Sequence, residues 1–140
     1  ATNPLKPLDK FTSGVSLEKQ DELKFIKIQN IAQLEDAILK SSKPVILDFW
    51  ATWCVSCKEL DEITFKNDEV IKRLQNFTLL KVDVTQNSEE DKAIQKKFGV
   101  VGPPALIFWD ENKQEVKSAK IVGYKNPKEF LEILDKNFKN

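Results

Sequence analysis

Cys54 and Cys57 are the only cysteines in a chain of 140 residues, and they stand three apart in Trp53-Cys54-Val55-Ser56-Cys57-Lys58. Two thiols at that spacing can close and reopen a small disulfide ring. The segment follows an apolar run, Val45 to Trp50, so it sits where a strand gives way to a helix. A thiol at a helix N-terminus meets free backbone N–H groups and the positive end of the helix dipole, both of which favour its thiolate. The thiolate is the form that attacks a disulfide. The spacing is that of a dithiol redox centre.

Three other readings of the pair compete. A structural zinc site needs four ligands, the pair supplies two, and the chain has no histidine. A static disulfide closing so short a loop restrains the unfolded chain very little. Two unpaired cysteines could also serve as small buried apolar residues.

Other residue types draw notice by position. Asp48 is an ionisable group within the otherwise apolar Val45-Ile46-Leu47-Asp48-Phe49-Trp50, a costly place unless the carboxyl is well paired or has work to do. Cys54, Cys57 and Asp61 fall at i, i+3 and i+7, along one face of a helix. Asp61 would then lie roughly 6 Å along the axis from Cys57 and roughly 10 Å from Cys54. Two ionised acids beside a dithiol would raise its thiol pKa values. Alternatively, Asp48 is a structural acid and Asp61 a surface carboxylate. Gly102-Pro103-Pro104 precedes the apolar Ala105-Leu106-Ile107-Phe108-Trp109, and a proline just before a buried strand often marks a cis bond in a tight turn; the alternative is an ordinary stiff loop. Trp50 reads as core, and Lys58 as a solvated helix residue.

The elements that must hold these groups follow from periodicity. Residues 1 to about 22 lack either period and read as a linker or loosely packed arm; 23–140 then form one domain. Residues 23–28 alternate as an edge strand. Ile31, Leu34, Ala37 and Ile38 recur at helical spacing behind Asn30 as N-cap. Val45–Trp50 is a central strand covered on both faces. A helix runs from the cysteines to about Phe65, and Asn67-Asp68 caps a further stretch with Val70, Ile71 and Leu74 inward. Residues 77–84 form another central strand and 88–98 a helix ended by Gly99. Residues 105–109 and 116–122 form a hairpin about a turn at 110–113. Pro127 opens a last helix. The order is β-α-β-α-β-α-β-β-α, an α/β fold with a central mixed sheet flanked by helices on both faces.

Composition limits the function classes. The chain is 41% hydrophobic and 31% charged with nine Phe and three Trp, enough to bury a core. Lys and Arg equal Asp and Glu at 22 each, so no net field draws it to nucleic acid or an anionic membrane. No apolar run approaches the roughly 20 residues of a membrane span. The chain begins at Ala1 and contains no methionine, which reads as a processed chain or a piece of a longer one.

The element order, together with Pro44 to Glu59, then Thr64-Phe65, Asp68-Glu69-Val70 and Leu79 to Thr85, resembles the thioredoxin superfamily. Within it, the run is most similar to the C-terminal, periplasmic thioredoxin-like domain of the DsbD family of transmembrane thiol:disulfide interchange proteins. The resemblance implies a protein-disulfide reductase with Cys54 as nucleophile, Cys57 as resolving thiol and no metal or other cofactor. It implies that Asp48 shuttles protons behind the cysteines, that Asp61 assists, and that Pro104 is a cis-proline facing the pair. Partners would meet Trp53, Val55, Ser56, Pro103 and Pro104. They would be protein disulfides, those of the membrane-embedded and N-terminal domains of the same parent, with this chain a monomeric soluble domain at the periplasmic face of the inner membrane. Thr52 departs from the family pattern, which favours an acid there. Pro103 departs too, since it has no N–H for a bound strand. A thioredoxin-like reductase for cytochrome c maturation, or a non-catalytic binding module, remains an alternative.

Overall fold

The computed structural model describes residues 22–138. The expected arm of residues 1–22 therefore lies, but for Glu22, outside the described residues. Five strands make one mixed sheet in the order β1-β3-β2-β4-β5. These are β1 (Ile26–Ile28), β2 (Val45–Trp50), β3 (Thr78–Asp83), β4 (Ala105–Trp109) and β5 (Ile121–Val122). β3 runs parallel to both β1 and β2, while β4 is antiparallel to β2 and to β5. Helices α1 (Ile31–Lys40), α2 (Val55–Glu62), α3 (Asp68–Leu74), α4 (Glu89–Lys97) and α5 (Pro127–Asn137) connect and cover them.

Alternation along the strands sorts the apolar side chains into two cores. On one face Val45, Leu47 and Phe49 of β2 pack with Leu80, Val82, Ile107, and with Leu34 and Ile38 of α1 and Ile94 of α4. On the other, Ile46, Leu79, Leu106 and Phe108 meet Leu60 of α2, Val70 and Leu74 of α3, and Phe130 and Leu134 of α5. β2 has helices on both sides, which is why its sequence is apolar at nearly every position.

Local chemistry sets the helix starts. Asn30 accepts a bond from the Gln33 N–H, as expected of an N-cap. Asn67 caps α3 through the Glu69 and Val70 N–H groups. Ser88 and Asn126 each form reciprocal capping boxes, with Asp91 and Glu129.

Three expected bounds shift. The edge strand covers only Ile26–Ile28 of 23–28. The helix from the cysteines stops at Glu62 instead of Phe65, and a 3₁₀ turn, Thr64–Lys66, follows. The buried Thr64 hydroxyl donates to the Lys125 carbonyl there (2.6 Å), which ties the chain to the start of α5. The strand expected over 116–122 is only Ile121–Val122, because a 3₁₀ turn at Lys117–Ala119 buries Ala119 completely. Its upstream contact with β4 is reduced to a single Trp109–Glu115 bridge.

Candidate active site

Cys54 and Cys57 form a disulfide, with Cα atoms 5.3 Å apart. Cys54 is the N-cap of α2, and its sulfur accepts the Cys57 backbone N–H at 3.1 Å. That N–H is one of the donors a helix start leaves without a partner inside the helix. The same geometry would stabilise negative charge on Cys54 sulfur once the disulfide opens. Cys54 is 5% exposed and Cys57 1%, so Cys54 is the more accessible of the two, though both lie deep. Cys57 sulfur sits 3.9 Å from the Phe49 carbonyl oxygen at the end of β2.

Asp48 is 1% exposed in the middle of the sheet. Burial pushes its carboxyl up from the ordinary 3.8 to about 8; the Lys81 ammonium pulls it down and Asp61 pushes it further up. Asp48 is therefore mostly protonated at neutral pH. The condition that both acids be ionised thus fails for Asp48 there. A carboxyl poised near 8 can instead take up or release a proton close to neutral pH.

Asp48 does not stand alone. It pairs in register with Lys81 of β3, and Trp50 pairs with Asp83, so Asp48, Trp50 and Lys81 share the sheet face that α2 covers. From α2, Asp61 accepts the Trp50 indole N–H at 3.1 Å. Lys81 Nζ lies 5.3 Å from the Trp50 ring and 4.9 Å from the Phe25 ring, positions that favour a cation. A groove of about 660 Å³ opens beside them, lined in part by Phe25, Asp61, Phe65 and Lys81.

The structure thus brings Asp48 and Asp61 into one electrostatic cluster and adds two residues that sequence reading missed. Trp50, expected only as core, packs on the core and also orients Asp61. Lys81 could have been found by the signal that revealed Asp48, a charge inside an apolar strand. Lys58 is exposed, as expected.

The outer rim is apolar. Trp53 is 60% and Val55 70% exposed, and Val101 is fully exposed. Ser56 and Pro103 are half-buried and Pro104 is buried. The Pro103–Pro104 bond is cis. Phe49 pairs with Ala105, so the turn before β4 lies at the end of the sheet from which the cysteine segment departs. The Pro104 carbonyl accepts the Gly123 N–H at 3.0 Å.

A model of the thioredoxin family matches residues 25–136. The chain belongs to the thioredoxin family. Among curated relatives it is 38% identical to the thiol:disulfide interchange protein DsbD of Pectobacterium atrosepticum over 94% of this chain. It is also 38% identical to that of Campylobacter jejuni, over 96%. The chain spans 23% of the length of each. Among solved structures, the C-terminal domain of Neisseria meningitidis DsbD in the oxidised form superposes with a TM-score of 0.65 at 30% identity. That match covers 82% of this chain and 99% of the other. A thioredoxin from Halobacterium salinarum, at 22% identity and TM-score 0.63, shares the fold.

The expected thioredoxin fold is present, and with it an intact cysteine pair at a helix start. This thioredoxin-family domain carries a cysteine pair in the disulfide state at the start of a helix, an arrangement able to cycle between disulfide and dithiol. Among the described residues, no group of three or more His, Cys, Asp or Glu side chains is placed to hold a metal ion. Among them, too, no helix is long and apolar enough to cross a membrane.

Proposed function

We propose that this domain is a protein-disulfide reductase that relays electrons within a longer parent, from a membrane domain to a periplasmic partner domain. The observation that carries the reading is the Cys54–Cys57 disulfide at the N-cap of α2; the buried, protonatable Asp48 in the strand that leads to it supports the reading. Relatives that bear the name thiol:disulfide interchange protein, and that extend well beyond this chain, support the relay.

In the reduced domain, Cys54 thiolate attacks one sulfur of a partner disulfide. A mixed disulfide forms and the other partner sulfur leaves as a thiolate. Cys57 then loses its proton and attacks Cys54 sulfur, which closes the internal disulfide and expels the second partner sulfur. Two electrons have passed to the partner. Asp48 is the acid–base group for the Cys57 proton. Asp61, held by Trp50, sets the field in which Asp48 titrates, together with Lys81. The electron donor recharges the pair by the reverse steps.

Trp53, Val55, Ser56, Pro103 and Pro104 form the partner-binding rim. An added partner strand could bond only to the Pro103 carbonyl, since the ring nitrogen carries no hydrogen. The periplasm is the expected compartment, and no further cofactor is required.

The test is equilibration of the domain with glutathione redox buffers. A reductase is expected nearer to thioredoxin, about −270 mV, than to the oxidant DsbA, about −120 mV. A value close to that of DsbA would overturn the direction of flow.

A further inference from the structure

The β2–β3 ladder is continued past its last regular pair by a side chain. Val84 N–H donates to the Trp50 carbonyl at 2.8 Å, and there the backbone pairing ends. One residue on, Thr85 Oγ1 accepts the Thr52 N–H at 2.9 Å, and the Thr85 carbonyl accepts the Trp53 indole N–H at 3.3 Å. Thr85 is itself fixed, because its N–H (2.9 Å) and its hydroxyl both donate to one carboxylate oxygen of Asp83. Two consecutive residues immediately before Cys54 are therefore bracketed by one threonine.

The bracket is wet. Thr52 and Asp83 are exposed, and a groove of about 530 Å³ lined by Thr52, Asp83, Thr85 and Ser88 runs behind it. Water can replace these bonds, so they contribute little to keeping the domain folded. Their consequence falls on Trp53, a large apolar side chain left mostly exposed beside the disulfide and held in one orientation. An exposed side chain that a partner must immobilise costs binding free energy unless it is ordered beforehand.

We propose that Thr85, backed by Asp83, is a positioning residue that pre-orders Trp53 for the docking of a protein disulfide. The proposal rests on Cys54 being the nucleophile and adds a determinant of substrate class. A folded protein covers the rim of Trp53, Val55 and Val101, whereas a small disulfide reaches Cys54 sulfur without covering it.

The test compares single-turnover oxidation of the reduced domain by insulin and by glutathione disulfide. Thr85→Val removes the hydroxyl and keeps the shape. Its rate with insulin should fall about fivefold, while its rate with glutathione disulfide stays within about twofold of wild type. Thr85→Ser should restore the insulin rate. Asp83→Asn, which weakens the same bracket from the surface, should give the same split on a smaller scale if Thr85→Val does not fold. Equal losses with both probes, or an unchanged insulin rate, would overturn the proposal. A wild type inert to both probes would overturn the nucleophile assignment, and the positioning role with it.

Discussion

A carboxyl fully buried in a central strand ties the stability of this fold to pH through Asp48. Its pKa is about 3.8 in an ordinary setting and about 8 here, raised chiefly by desolvation. Between those values the folded chain holds a proton that the unfolded chain has released, so stability falls as pH rises. The contribution is intact below pH 4 and is lost once pH passes 8. Asp48→Asn lacks this penalty. The oxidised variant should therefore match wild type near pH 4 and exceed it by on the order of 3–5 kcal/mol at pH 9, read from denaturant unfolding. Its rate of thiol–disulfide exchange should in turn lose a pH dependence centred near 8. Asp48 was legible in the sequence because it breaks an apolar run. Lys81 breaks another, but its meaning depends on the parallel register that sets it beside Asp48. That register is a tertiary fact which no local period encodes.

The elements place the chemistry by ending where they do. β2 stops at Trp50 and α2 starts at Val55, so Cys54 falls at the N-cap, where its sulfur takes the Cys57 N–H. The other caps close helix starts away from the cysteines. Ser88→Ala breaks the box at α4 and should cost about 1 kcal/mol of unfolding free energy, with exchange kinetics unchanged. Helix and strand periods, with Asn30, Asn67, Ser88 and Pro127 at the boundaries, were enough to read most of this order from the sequence. The misjudged stretches were those in which tertiary bonds override the period. Thr64 leaves the helix to bond Lys125, 61 residues away, and Ala119 turns inward in the middle of an expected strand. Thr85 escaped notice for the same reason, since its partners are 33 and 32 residues away.

At the scale of the molecule, two cores clamp one sheet and leave Trp53 and Val55 exposed beside the cysteine pair. Phe130 of α5 is fully buried and stacks edge-on against Phe65, in the 3₁₀ turn that follows α2. Phe130→Ala should cost about 3–5 kcal/mol and lower the thermal midpoint in both redox forms. The central claim is that this architecture offers Cys54 sulfur to a partner and keeps Cys57 in reserve. Mass spectrometry of trapped adducts addresses it most directly. The reduced Cys57→Ser variant, mixed with a disulfide protein and quenched in acid, should be recovered with Cys54 covalently joined to the partner chain, whereas Cys54→Ser should give almost none. Equal trapping through Cys57 in the Cys54→Ser variant, or no adduct at Cys54, would contradict the account.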